Sequence, residues 1–111
     1  MERVEQFRQF IRQLLTAHAT VESNPSEVEC QLVFDSERDR YLLLDVGWEG
    51  LKRVYHCFIQ IDIKEGKIWI QRNMTEADLA QELVEMGVSK EEIVLGLHPP
   101  YKRPYTGYAM A

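Results

Sequence analysis

Hydrophobic and polar residues alternate along the middle of the chain, from Val28 to Arg72. Alternation with a period of two residues is the pattern of a β-strand that has one buried face. Short polar or glycine-containing segments divide this stretch into four predicted strands, and Glu65-Gly66 is a signal for a tight hairpin. Such short connections cannot carry the crossover that parallel strands require. The pattern therefore predicts a four-stranded antiparallel meander.

The alternation also assigns side chains to two faces of the predicted sheet. The inner face is expected to carry Val28, Cys30, Leu32, Phe34, Leu42, Leu44, Val46, Trp48, Tyr55, Cys57, Ile59, Ile61, Ile63, Ile68 and Ile70. The opposite face is also apolar, since it is expected to carry Val33, Tyr41, Leu43, Val54, Phe58 and Trp69. Water-facing sheet surfaces rarely carry so many large apolar groups. Some of this face is therefore covered, either by the C-terminal segment, by a helix of this chain or by another protein. We expect a homodimer or a partner contact there, with Leu43, Phe58 and Trp69 as partner-binding candidates.

Helical patterns flank the predicted strands. Apolar residues at steps of three and four predict an amphipathic helix over about Glu2 to Ala19, which the segment Asn24-Pro25-Ser26 separates from the strands. A second helix is predicted after the strands, with Thr75 as its N-cap and Gly87 as its C-terminal stop.

A capping box that begins at Ser89 predicts a short third helix through Leu95. The segment from Tyr101 to Ala111 is too apolar for a disordered tail, and we expect it to return to the fold as a short terminal strand or an extended tail. The predicted fold class is α+β. It consists of an N-terminal helix, the four-stranded antiparallel meander, two C-terminal helices and this tail, in a single domain over residues 1–111.

Composition places the chain among ordinary globular proteins, with 111 residues, 45% hydrophobic and 28% charged. No apolar run approaches the roughly 20 residues that a membrane-spanning helix requires, and the N-terminus does not resemble a secretory leader, so we expect a cytoplasmic protein without membrane contact. The only two cysteines, Cys30 and Cys57, are expected to be buried free thiols. The net charge of −5 argues against an autonomous DNA-binding protein, because phosphate binding favours a basic surface.

Candidate chemistry is sparse. The three histidines lie in different predicted elements and show no paired ligand spacing. His56 and Cys57 are neighbours in a strand, so their side chains should point to opposite faces, which argues against a catalytic Cys–His pair. The segment that starts at Asp35 resembles a calcium loop only at its beginning, since Arg40 and Val46 replace the required Gly and Glu. We expect no catalytic residue, no metal site and no cofactor, and hence no enzyme.

The segment after the third predicted helix is the best candidate for a functional surface. Its prolines stiffen the chain, and its aromatic and cationic side chains are of the kinds that anchor interfaces. Its partner-binding candidates are His98, Tyr101, Lys102, Arg103 and Tyr105. A purely structural role is the alternative: the prolines end the helix, the tyrosines pack, and the two cations face water.

Five segments in this order resemble one family. They are Gln31–Asp39, Val46–Gly50, Asp62–Gln71, Glu82–Val88 and Ile93–Pro100. Together they are similar to the XisI family, the fdxN element excision controlling factors of cyanobacteria. A closing Arg-x-x-Thr-x-Phe-Ala pattern of the family is matched by Arg103–Ala109, with Tyr108 in place of Phe.

The resemblance implies a role beside a companion protein, XisH, in controlling a site-specific recombinase that excises a DNA element during heterocyst development. It implies no catalytic residues. The leading hypothesis is therefore a non-enzymatic accessory factor that binds an XisH-like protein. One alternative is direct DNA binding through Lys102, Arg103 and Arg72. Another is a small-ligand-binding domain, which would need a concave pocket that gathers His56 or His98 with carboxylates.

Overall fold

The computed structural model of the protein describes residues 2–22 and 27–111, so the predicted break at Asn24-Pro25-Ser26 lies outside the described residues. The elements follow the predicted order of one helix, four strands and a second helix, with short additions at the C-terminal end. They are α1 (Glu2–Glu22), β1 (Val28–Asp35), β2 (Arg40–Glu49), β3 (Lys52–Lys64), β4 (Lys67–Asn73), α2 (Leu79–Met86), a 3-10 helix (Lys90–Glu92), β5 (Ile93–Val94) and a second 3-10 helix (Pro100–Tyr105).

The strands form one sheet in the order β1-β2-β3-β4-β5. The first four pair antiparallel in sequence order, which confirms the predicted meander. The prediction of a purely antiparallel four-stranded sheet is wrong in its last strand, because β5 pairs parallel to β4 through Ile68 and Ile93. The predicted return of the tail is confirmed by a parallel bridge between Val94 and Ala109, in which the Ala109 amide donates to the Ile93 carbonyl at 2.8 Å.

The predicted third helix is wrong beyond its first turn. The capping box at Ser89 and Glu92 is present, but it opens only the 3-10 helix Lys90–Glu92. Ile93 and Val94 are β-branched, which favours an extended backbone. They pair with β4 and are fully buried there. Burial at the sheet edge therefore ends the helix after one turn.

The core lies between α1 and one face of the sheet, here called the inner face. Four residues of α1 at helical spacing are buried against it: Phe7, Ile11, Leu14 and Leu15. The sheet contributes Tyr41, Leu43, Ile59, Ile61, Ile68 and Ile70, and α2 adds Leu79 and Leu83. The predicted amphipathic helix is thus confirmed, and the α+β class with it.

The face assignment of β2 is corrected. Tyr41 and Leu43 are fully buried in the core, so strand alternation places Leu42, Leu44, Val46 and Trp48 on the outer face, the reverse of the prediction. On β3 the register shifts near Phe58, because Leu43 pairs with Ile59 while Leu44 pairs with Cys57. This bulge changes the phase of alternation, as an extra residue in one strand must. Before the bulge, Tyr55 and Cys57 therefore point to the outer face, and after it Ile59 and Ile61 point to the core.

Candidate interaction surfaces

Four of the predicted partner-binding residues lie together at the C-terminal end, and we call them the C-terminal surface: His98, Tyr101, Lys102 and Tyr105. The 3-10 helix Pro100–Tyr105 carries three of them. Pro99 is extended and Pro100 begins the helix, a position where the missing proline N–H costs nothing. Tyr101 is 71% exposed and Tyr105 is 88% exposed.

Arg103 points the other way and fixes this helix to the sheet. Its Nε donates to the His98 carbonyl at 3.1 Å, and its guanidinium carbon lies 5.2 Å from the centre of the Trp69 ring. The Lys64 ammonium lies 4.4 Å from the centre of the same ring. Gly96 also lies against this ring, since a Cβ there would come within 3.1 Å of it. Trp69 is therefore half-buried beneath its own C-terminal segment, and both Trp69 and Arg103 hold the surface in place.

The exposed side chains border a cavity of about 350 Å³, lined by His98, Lys102, Tyr105 and Thr106. The Thr106 hydroxyl donates to the Arg103 carbonyl at 2.9 Å, which closes the helix. The lining residues that the structure describes include no carboxylate. A phenol ring beside an ammonium group suits an aromatic or acidic side chain of another protein.

A second exposed surface covers the outer face of β1, β2 and β3. We call it the outer sheet surface, and it consists of Val33, Leu42, Leu44, Val46, Trp48 and Tyr55. Trp48 is 49% exposed and Tyr55 is 69% exposed, while Leu42, Leu44 and Val46 are half-buried. The main helix contacts of these strands are made by α1, on the inner face.

Leu43 and Phe58 are not on this surface. Leu43 is fully buried and Phe58 is 6% exposed, both in the core. The prediction that they lie on an exposed partner-binding face is wrong, because it assumed the opposite phase for β2 and did not foresee the bulge. An apolar outer face exists, as predicted, but other residues form it.

Cation-bearing residues proposed for DNA contact are separated by the structure. Lys102 is exposed and faces the cavity at the C-terminal surface. Arg103 is engaged with Trp69, as described above. The Arg72 side chain donates from Nε to the Cys57 carbonyl at 2.6 Å, on the sheet itself. Lys102 and Arg72 are both exposed, whereas Arg103 is half-buried.

The structure also forms a cleft that the sequence did not locate. Asp45 and His56 are cross-strand partners on β2 and β3, and the His56 ring stacks on Phe58 with centroids 6.0 Å apart. These residues line a cavity of about 420 Å³ with Met74, Thr75 and Glu76, which follow β4. A histidine thus lies close to two carboxylates, as the small-ligand alternative requires. His98 lies elsewhere, at the C-terminal surface.

The cysteine and histidine side chains of the sheet are poorly placed for nucleophilic catalysis or for metal binding. Cys57 pairs with Leu44 on the outer face, whereas the adjacent His56 pairs with Asp45 on the inner face. Burial raises the pKa of the Cys57 thiol, which disfavours the reactive thiolate. Within residues 2–22 and 27–111, no group of three or more His, Cys, Asp or Glu side chains is arranged to hold a metal ion. No helix in the same part of the chain is both long enough and apolar enough to cross a membrane.

These features define a small α+β protein with a mixed five-stranded sheet, helices packed on its inner face, and two exposed apolar or aromatic surfaces. A family profile described as XisI protein matches residues 1–110. The chain belongs to the XisI protein family.

Two solved structures are similar over nearly the whole chain. A XisI-like protein from Anabaena variabilis shares 49% sequence identity and a TM-score of 0.91, covering 96% of this chain and 97% of its own. The fdxN element excision controlling factor XisI from Anabaena variabilis shares 33% identity and a TM-score of 0.88, covering 98% of this chain and 99% of its own. Among curated proteins, no match to this chain is found.

Proposed function

We propose that this protein is a non-enzymatic accessory factor that controls excision of a DNA element by binding another protein. The solved relative named as an excision controlling factor supports the process. The observation that carries the mode of action is the pair of exposed tyrosines, Tyr101 and Tyr105, on a helix fastened to the sheet.

Exposed aromatic groups on a rigid support favour protein binding for a physical reason. Tyrosine buries a large area with little loss of side-chain entropy, and it is enriched among the residues that dominate interface energies. The Arg103 contacts to Trp69 and His98 hold the helix before a partner arrives. Such preorganisation reduces the entropy lost on association.

The proposed partner is an XisH-like protein. Lys102 and the adjoining cavity would accept an acidic or aromatic side chain of that protein. The remainder of the chain carries a net negative charge, which complements the basic face expected of a DNA-binding partner. The contact at Lys102 and the charge attraction would together let this protein position its partner without catalysing a reaction itself.

The proposal is tested by isothermal titration of the chain with the purified XisH-like protein. The double variant Tyr101→Ala/Tyr105→Ala should weaken binding by about 30-fold or more, the scale of losing interface anchors. The matched control is Leu51→Ala, which truncates a fully exposed apolar side chain at the β2–β3 turn. No binding by the unaltered chain at micromolar concentration, or equal binding by the double variant, would reject this function.

Direct DNA contact is a second candidate, because Lys102 is exposed in a region that contains no Asp or Glu from Gly96 to Ala111. It predicts that affinity for a labelled DNA duplex falls steeply with salt, and falls further in Lys102→Ala. Fluorescence anisotropy that stays flat at low salt removes this candidate.

The cleft at Asp45, His56 and Glu76 favours a third candidate, binding of a small cationic ligand. Two carboxylates beside an aromatic stack are suited to an organic cation. Nuclear magnetic resonance titration with guanidinium and alkylammonium salts should shift the His56 ring signals before any others. Uniform small shifts over the whole protein would exclude it.

A further inference from the structure

The outer sheet surface is apolar along its centre and polar on its borders. Leu42, Leu44, Val46 and Trp48 follow one another along the outer side of β2. Toward β4 the same face becomes polar, since the buried Asp62 carboxylate accepts hydrogen bonds from Gln60 at 3.1 Å and from the Gln71 side chain at 3.2 Å. The apolar part is thus a bounded patch.

We infer that this patch is the contact between two copies of this chain, which pack face to face through β1, β2 and β3 about a two-fold axis. The inference goes beyond the proposed function, which rests on the C-terminal surface beside β4. It requires only the geometry of the sheet and the chemistry of its outer side chains.

The size of the patch suits such a contact. Three neighbouring strands about 4.8 Å apart, each contributing about eight residues at 3.3 Å, present a flat area of roughly 400 Å² before side-chain relief is added. Polar residues of β1 and β3 surround this area as a rim, and a stable interface buries roughly 800 Å² per partner with the rim included. Exposed apolar patches of a few hundred Å² often mark a functional binding surface.

Charges at the border make the patch complementary to itself. Glu29 pairs with Val46 across β1 and β2, and Arg53 pairs with Trp48 across β2 and β3, so both lie on the outer face at opposite sides of the patch. The Arg53 guanidinium also lies 5.4 Å from the centre of the Trp48 ring, which confirms its side. Both residues are exposed.

A two-fold axis along β2 places β1 of one copy over β3 of the other. Glu29 and Tyr55 both pair with Val46, so the two residues lie at the same height along the strands. Glu29 of one copy therefore lies over Tyr55 of the second copy and close to Arg53 of that copy. The symmetry forms this acid–base contact twice. Aligned packing of two twisted sheets is a common arrangement, with about 10 Å between them.

A second copy fits this surface better than an unrelated protein does. The apolar row lies open to water whenever the chain is free of other proteins, and another copy is always available at the same concentration. The opposite charges on the two borders match each other and need no foreign sequence.

The oligomeric state of the intact chain tests the inference. Light scattering after size-exclusion chromatography should give twice 13.0 kDa for the unaltered chain. Val33→Glu/Tyr55→Glu replaces two side chains that are exposed in the protomer, so the fold is retained while two like charges enter each half of the contact. The dissociation constant should rise roughly 100-fold, because unpaired charge in a buried contact is unfavourable. Leu51→Glu, which places an acidic side chain outside the patch at the hairpin tip, is the control and should leave the dimer intact.

A charge exchange checks the arrangement itself. Glu29→Arg alone and Arg53→Glu alone should each weaken the dimer, and the two together should restore it, with circular dichroism unchanged throughout. A monomer for the unaltered chain at about 100 µM would overturn the inference. A dimer that survives Val33→Glu/Tyr55→Glu would also overturn it. A monomer whose outer sheet surface is covered only when the XisH-like protein binds would overturn it as well. Loss of partner binding with the dimer preserved would reject the proposed function alone.

Discussion

At Trp69 two cations, Lys64 and Arg103, lie against the indole ring, and this one residue joins the sheet to the C-terminal segment. Among the described residues, no acceptor lies within hydrogen-bond distance of its buried Nε1. The ring is therefore held by its faces, through cation–π contact and packing, more than by its polar atom. The position of the exposed tyrosines depends on this contact.

Removing Arg103 should loosen the C-terminal surface without unfolding the protein. Arg103→Ala loses a cation–π contact and a hydrogen bond to the His98 carbonyl, and we expect a stability loss of about 1–2 kcal/mol with weaker partner binding. Urea unfolding monitored by Trp69 fluorescence in a Trp48→Phe background measures it. Lys102→Ala is the control, and it should leave stability unchanged. Equal stability of the two variants would contradict the anchoring role.

Two carboxylates that accept hydrogen bonds from arginines of α1 make the stability of the fold sensitive to acid. Glu92 accepts from Arg3 Nε at 2.9 Å, and this hydrogen bond is the main reason why its pKa falls to about 2. Asp39 accepts from Arg8 Nε at 2.8 Å, and that hydrogen bond chiefly lowers the Asp39 pKa. Both pairs connect α1 to the rest of the molecule.

The sign of the pH effect follows from these directions. A lowered folded pKa adds stability that is present above the ordinary carboxyl pKa and is lost as the pH falls through the folded value. For Glu92 this window runs from 4.5 down to about 2. We expect the urea midpoint to fall between about pH 5 and pH 2.5, and to fall less steeply in Glu92→Gln. Glu91→Gln, on the same 3-10 helix, is the control. Identical slopes for the two variants would contradict the assignment.

At the scale of the elements, the close approach of β1 to β2 depends on Gly47. A Cβ at this position would lie 2.2 Å from the Glu27 carbonyl oxygen and 2.8 Å from the Val28 Cα, and both are backbone atoms that cannot move independently. The start of β1 therefore packs directly on the β2 backbone.

Gly47→Ala should displace the start of β1 and destabilise the protein by about 2–3 kcal/mol, as other steric conflicts with backbone do. Chemical denaturation measures the loss, and hydrogen exchange should increase first in β1. The control is Gly50→Asn, at a left-handed turn position with open space around it, where Asn is tolerated. A Gly47→Ala variant as stable as Gly50→Asn would show that this approach is not tight.

The existence and order of the main elements could be predicted because each depends on local pattern. The spacing of Phe7, Ile11 and Leu14 specifies the buried face of α1. Gly87 adopts a left-handed conformation and ends α2, as its place after an apolar stripe predicts. The predicted N-cap of α2 at Thr75 is wrong: Asp78 caps the helix by accepting from the Gln81 amide, while the Thr75 hydroxyl donates to the Asn73 side chain.

The phase of the sheet could not be predicted, for two physical reasons. Leu42, Leu43 and Leu44 are identical, so no difference in polarity indicates which of them faces the core. The bulge near Phe58 arises from pairing with another strand and has no local signal. Of the candidate sites, the exposed C-terminal residues were found from their composition, whereas the contact of Arg103 with Trp69 depends on tertiary structure.

At the scale of the whole molecule, we propose separate roles for the two exposed surfaces. The C-terminal surface is aromatic and basic on a short, fastened helix, which suits a partner that binds and leaves. The outer sheet surface is a continuous apolar patch, which suits a lasting contact between copies. An assembly of two copies would present two C-terminal surfaces at once and strengthen binding to a partner that is itself dimeric.

The mass of the complex with the XisH-like protein, measured by light scattering, tests this account most directly. We predict a complex that contains two copies of this chain. Tyr101→Ala/Tyr105→Ala should give the dimer without the partner, and Val33→Glu/Tyr55→Glu should give one copy still bound to the partner. Absence of a complex with the unaltered chain, or a complex of unchanged mass with both variants, would contradict the account.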